Sequence, residues 1–259
     1  MTEEMIREFI KGVILETRED DLAKIRMANN SYLAIQQKVF SLNKDLVSFE
    51  RVFRKDEGRL ASMSLGTFLR RDEHVKMFVN FLERTLMNAP PGYMASAQLR
   101  KNGYHINIYF TAPQEVIGST RAYNKWFAQN LDAVLSSSKM RSFYVHEFIH
   151  TLDFKRIPKD YLYQRPVQQT VIGTPEYANA PLEMNAYFLQ AISYVRRKLK
   201  KAQTQEEVDA LIGRTPQEFV DKFMSTYLNK ELRMLLAPEN RQRLMKRAAT
   251  SWELLRKVK

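Results

Sequence analysis

His146-Glu147-x-x-His150 sets two imidazoles four residues apart, with a carboxylate next to the first. On a helix, positions i and i+4 share a face about one turn apart. Both rings can then reach one metal ion, and Glu147 can lean toward a water held there. The flanks suit a helix buried beneath a cleft. Phe143, Tyr144 and Val145 lead in, Phe148 and Ile149 fill the variable positions, and Thr151 and Leu152 follow, all uncharged. The competing reading is a buried helix whose two His bond only to backbone groups.

Zinc on two His needs at least one more protein ligand and an open position for water. The chain has no Cys, which excludes disulfides and thiolate sites, so zinc here must use His and carboxylate. It has four His in all, so a third imidazole can come only from His74 or His105, both upstream. Pro181-Leu-Glu183-Met-Asn-Ala-Tyr187 opens a new helix 33 residues beyond His150 and offers Glu183. With Pro181 at N1, Glu183 falls at N3, where a Glu also commonly caps or meets the helix dipole. Glu176 and Asp160 are rival carboxylates. Asp153 lies three residues past His150 on the same face. There it is expected to accept the far ring N–H of a ligand His and fix its tautomer, the alternative being an ordinary surface or capping Asp.

Together these residues resemble the zincin metallopeptidases. Pro-x-Glu-x-x-Ala at 181–186 is similar to the second motif of the gluzincins, which take a Glu from a helix downstream of the two His. The resemblance covers about residues 94–195, and the interval between the motifs departs from the shortest gluzincin spacing. It implies a zinc-dependent peptide-bond hydrolase acting on a peptide or protein. In it His146, His150 and Glu183 hold Zn²⁺ and Glu147 is the general base. Ala186, one turn past Glu183, would let the two helices approach closely. Tyr177 and His105 are the implied oxyanion donors, with Tyr161 and Tyr163 further candidates. Zincins also place a small sheet before the ligand helix, and its edge strand pairs with extended substrate. Separately, the stretch 6–16 resembles the start of many small proteins of large tailed bacteriophages.

Elements must position these groups. Residues 1 to about 88 read as helical: Ile6, Phe9, Ile10, Val13 and Ile14 recur at helical spacing, and similar patterns cover 21–40, 42–53 and 74–82. His74, among Arg70, Arg71, Asp72 and Glu73, is expected on the surface. Asn88-Ala-Pro-Pro-Gly-Tyr93 is the clearest break and is taken as a domain boundary. Beyond it, 94–100 and the alternating run 104–111 flank Lys101-Asn102-Gly103, which predicts a hairpin. A helix over 121–135 follows, then Ser136–Ser138 as N-caps and the ligand helix over 139–156, ended by Pro158. The 158–181 stretch, rich in Pro, Gly, Gln and Tyr, is long for a connection and is expected near the cleft mouth. Thr215-Pro-Gln-Glu218 starts another helix, and 238–259 forms the last, docked by Trp252 and Leu255. The expected fold is α+β, mostly α. A helical region over 1–90 precedes a zincin-like domain over 91–259, which has a short antiparallel sheet and a helical C-terminal part.

Composition bounds the partners. Of the 259 residues 44% are hydrophobic, ample for a core, and no run of 18 apolar residues predicts a membrane span. Met-Thr-Glu-Glu-Met-Ile-Arg-Glu-Phe lacks a signal-peptide apolar region. The expected location is therefore the cytoplasm (of a host cell) or a virion. A net charge of +12 favours anionic partners: nucleic acid, an acidic protein surface or lipid headgroups. Arg196, Arg197, Lys198, Lys200 and Lys201 form a candidate basic patch, and Arg241, Arg243, Lys246, Arg247, Arg256 and Lys257 lie on the last helix. Neither stretch has an aromatic-interleaved nucleic-acid motif, which favours solvated faces. Two rivals to the hydrolase follow: a zincin-shaped component of a phage assembly, and a basic nucleic-acid binder.

Overall fold

Ser137 starts the central helix: its side chain accepts from the Met140 N–H at 3.4 Å and its carbonyl from the Arg141 N–H at 3.0 Å. The computed structural model describes residues 18–40, 61–70, 73–83, 94–100, 103–110, 122, 125, 126, 129, 133–154 and 174–258. The readings made for 6–16, 42–53, 88–93 and 158–173, Asp160, Tyr161 and Tyr163 included, lie outside the described residues. The elements are α1 (Arg18–Phe40), β1 (Ala61–Arg70), β2 (Glu73–Glu83), β3 (Met94–Arg100), β4 (Gly103–Phe110), α2 (Ser138–Phe154), α3 (Pro175–Ala178), α4 (Pro181–Leu199), α5 (Gln205–Ile212), α6 (Pro216–Lys222), α7 (Lys230–Leu235) and α8 (Pro238–Arg256). A π-turn at Phe223–Tyr227 continues α6.

The chain divides into two compact units, Arg26–Thr151 and the remainder, and the division falls within two unbroken helices, α1 and α2. In the first unit β1 pairs antiparallel with β2, β2 parallel with β4, and β3 antiparallel with β4, in the order β1-β2-β4-β3. There too, Tyr144 packs on Tyr32 with ring centroids 5.2 Å apart, and its hydroxyl hydrogen-bonds Ser31. Tyr32 donates to the Leu135 carbonyl at 2.6 Å, and Arg141 to Asn29 Oδ1 at 2.7 Å. Met140, Tyr144 and Phe148, spaced by four, are all buried.

The described residues of the second unit form helices and the short links between them. Phe188 of α4, Phe219 of α6 and Phe223 of the π-turn form its aromatic centre, with ring centroids 5.3 Å (Phe188–Phe223) and 6.0 Å (Phe219–Phe223) apart. Thr204 and Glu207 close a capping box on α5, and Thr215 caps α6, its side chain accepting from the Glu218 N–H. Gly213 joins them at φ 71°, ψ 172°, a region essentially reserved for glycine. A Cβ there would stand 2.5 Å from Glu218 Cβ. Gly213→Ala is therefore expected to lower stability by about 1–3 kcal/mol, read as a lower urea midpoint with an unchanged slope.

The fold-class expectation does not hold. Where side chains are described, the chain is helical or links helices, with Ile106 and Ile108 the exceptions, and the sheet is not the short antiparallel one expected. The hairpin predicted from 94–100 and 104–111 forms as β3 antiparallel to β4, but it belongs to a larger sheet than the short antiparallel one expected within 91–259. The strands span 61–110 and form a mixed sheet, and its first half occupies sequence read as helix. The expected boundary near residue 90 falls between β2 and β3 of that sheet. Phe78 and Leu82 complete a helical spacing in 74–82. However, Val75, Met77, Val79 and Phe81 alternate with Lys76 and Asn80, and β-branched and aromatic residues favour a pleated surface.

Candidate metal centre

α2 carries the two imidazoles where its flanks are most apolar. His146 and His150 are 5% and 6% exposed. Their rings meet edge to face, centroids 4.7 Å apart, with Nε2 of one 3.1 Å from Nε2 of the other. Two nitrogens bound at 2.0–2.1 Å to one tetrahedral zinc lie about 3.3 Å apart. The pair already has nearly that spacing.

Pro181 occupies the first turn of α4 and puts Glu183 in that turn; Ala180 at the N-cap has no side-chain cap. One ligand atom each from His146, His150 and Glu183 all lie within 4.8 Å of one another. Nitrogen and carboxylate donors with no thiolate suit Zn²⁺. Among the described residues no other group of three such side chains is gathered this closely. Ala186, one turn on, is fully buried.

Tyr177 stands against the same carboxylate. Its phenol is pushed well above the ordinary tyrosine range by burial first, then by the charge of Glu183 and the neighbouring Tyr187. The two tyrosine hydroxyls are 3.5 Å apart. Tyr177 is thus a protonated donor at neutral pH. Asn179 fixes its short helix: Nδ2 donates to the Leu235 carbonyl at 2.9 Å, and Oδ1 accepts from the Ala237 N–H at 2.7 Å and from Asn240 at 3.0 Å.

Glu147 is half-buried beside His146 on α2. Asp153 departs from its expected role. Among the described residues its buried carboxylate takes Lys24 Nζ on Oδ1 at 2.9 Å and Asn185 Nδ2 on Oδ2 at 2.7 Å, rather than an imidazole. The physical reason is that Lys24 stands on the apolar face of α1, and a buried ammonium must find an anion. Glu176 is exposed, and the side chains of His74 and His105 lie outside the described residues. In the basic run Lys198, Lys200 and Lys201 are exposed, whereas Arg196 and Arg197 are half-buried. Arg247 does not belong to a solvated face: it grips Asp21 through two oxygens at 2.8 and 2.9 Å and lies over the Phe188 ring at 4.1 Å. Burial raises the Asp21 pKa, with Arg247 and Lys24 opposing it.

Sequence reasoning missed Lys24 and Asn185, yet both had a signal. Lys24 falls at helical spacing with Ala28, Tyr32 and Ile35, and Asn185 with Leu189 and Ile192, all buried. A polar residue on an apolar stripe needs a partner. Comparison with protein-family models, with curated proteins and with solved structures finds no match to this chain. Among the described residues no helix is long and apolar enough to cross a membrane.

Proposed function

We propose that the chain is a zinc-dependent peptide hydrolase. The grouping of His146, His150 and Glu183, with the two Nε2 atoms 3.1 Å apart, carries this reading. These three residues would hold the ion, and the HExxH resemblance supports zinc as its identity. When bound, zinc supplies a Lewis acid that makes hydroxide available near neutral pH. Glu147, one residue from His146, takes the proton of the attacking water and returns it to the departing amine nitrogen. Tyr177 offers an O–H to the developing oxyanion.

The test is metal content. The purified full chain is expected to retain one zinc per molecule through gel filtration against excess weak chelator, and Glu183→Ala to lose it. A wild-type protein that takes up no zinc under those conditions overturns the reading. Retention by Glu183→Ala assigns the third ligand elsewhere, with Asp160 the first replacement to try.

A further inference from the structure

The amide of Asn185 is 1% exposed and donates to an equally buried carboxylate, that of Asp153, whose other oxygen holds Lys24. Asp153 stands in the last turn of the helix that bears both imidazoles, one turn after His150. Asn185 stands on α4 two residues after Glu183. The hydrogen bond therefore ties together the two helices whose side chains must converge on one ion, within a turn of the ligands on each side. We infer that Asn185, held by Asp153 and Lys24, is the positioning residue that sets the spacing between the imidazole pair and Glu183. This rests on the metal reading above.

Stability alone does not account for the arrangement. Ion pairs withdrawn from water gain little over well-packed apolar side chains of the same volume. Asn185 Oδ1, moreover, is buried without a hydrogen bond among the described residues, a cost a Leu or Met at this position would not carry. What an amide–carboxylate bond supplies is a fixed distance and direction. Groups that orient metal ligands from behind commonly change affinity by 10–100-fold when removed, and this clamp acts one helical turn from each side of the site.

The experiment is a zinc titration of the full chain, in competition with a chromophoric chelator, at a temperature where circular dichroism shows every variant folded. Asn185→Leu is expected to bind zinc about 10–100-fold more weakly than wild type with unchanged helicity. The exchanged pair Asp153→Asn with Asn185→Asp restores an amide–carboxylate bond with its direction reversed, and is expected to recover most of the lost affinity. If Asn185→Leu does not fold, Asn185→Ser, too short to span to Asp153, is read in its place. Affinity within about twofold of wild type in the folded variant overturns the clamp while leaving the metal reading intact. A wild type that binds no zinc overturns both.

Discussion

Glu147→Gln is expected to keep zinc and lose turnover. The substitution preserves size and shape but replaces a basic oxygen with an amide NH2, so the three proposed ligands are untouched while the attacking water loses its proton acceptor. General acid–base groups contribute about 10²–10⁴-fold, and this one acts in both half-steps, which places the loss at the upper end. The measurement is cleavage of a mixed peptide library followed by mass spectrometry, beside zinc content and the urea midpoint. Because Glu147 is half-buried on a helix whose other face forms the core, the variant should fold as wild type does. Retained hydrolysis at equal zinc content removes Glu147 from the mechanism. Loss of zinc together with activity would instead give Glu147 a share in holding the ion.

The meeting of His146 and His150 was more legible in the sequence than the fold around it. A five-residue pattern fixes its own geometry, because a helix of regular pitch brings residues 146 and 150 together whatever the rest of the chain does. The place of Glu183 in the first turn of α4 was legible for a related reason, since Pro181 sets the helix start, whereas its part as a ligand was implied only by the gluzincin resemblance. The 74–82 run was not so constrained, since its apolar residues satisfy a period of 3.6 and one of 2 at once. Only its pairing with β1 and β4 decides between them.

Asp153 shows a different kind of limit. The sequence places it on the imidazole face, which is correct, but a carboxylate takes the strongest donor within reach. That donor comes from α1, 129 residues away. No local pattern reports a partner at such a distance; only the misfit of Lys24 on an apolar stripe hints that one exists. Arg247 was misread the same way: a cation among exposed cations on α8 has its anion, Asp21, 226 residues away.

Lys24→Met is expected to destabilise the chain by about 3–5 kcal/mol, the usual cost of leaving a buried charge without its counter-ion. The side chains of Lys24 and Asp153 are 6% and 0% exposed, so solvent screens the pair little. Asn185 still donates to the stranded carboxylate, which places the effect toward the lower end. Met fills nearly the volume of the lysine stem, so the loss reads on charge rather than on a cavity. Adding Asp153→Asn removes the stranded charge, and the double variant should recover most of the deficit. The coupling from the full cycle, taken from urea midpoints at constant slope, then reports the pair itself. A single-variant loss below about 1 kcal/mol would mean that the ammonium and carboxylate are as well solvated folded as unfolded. The Lys24–Asp153 pair would then not anchor α1 to the end of the imidazole helix.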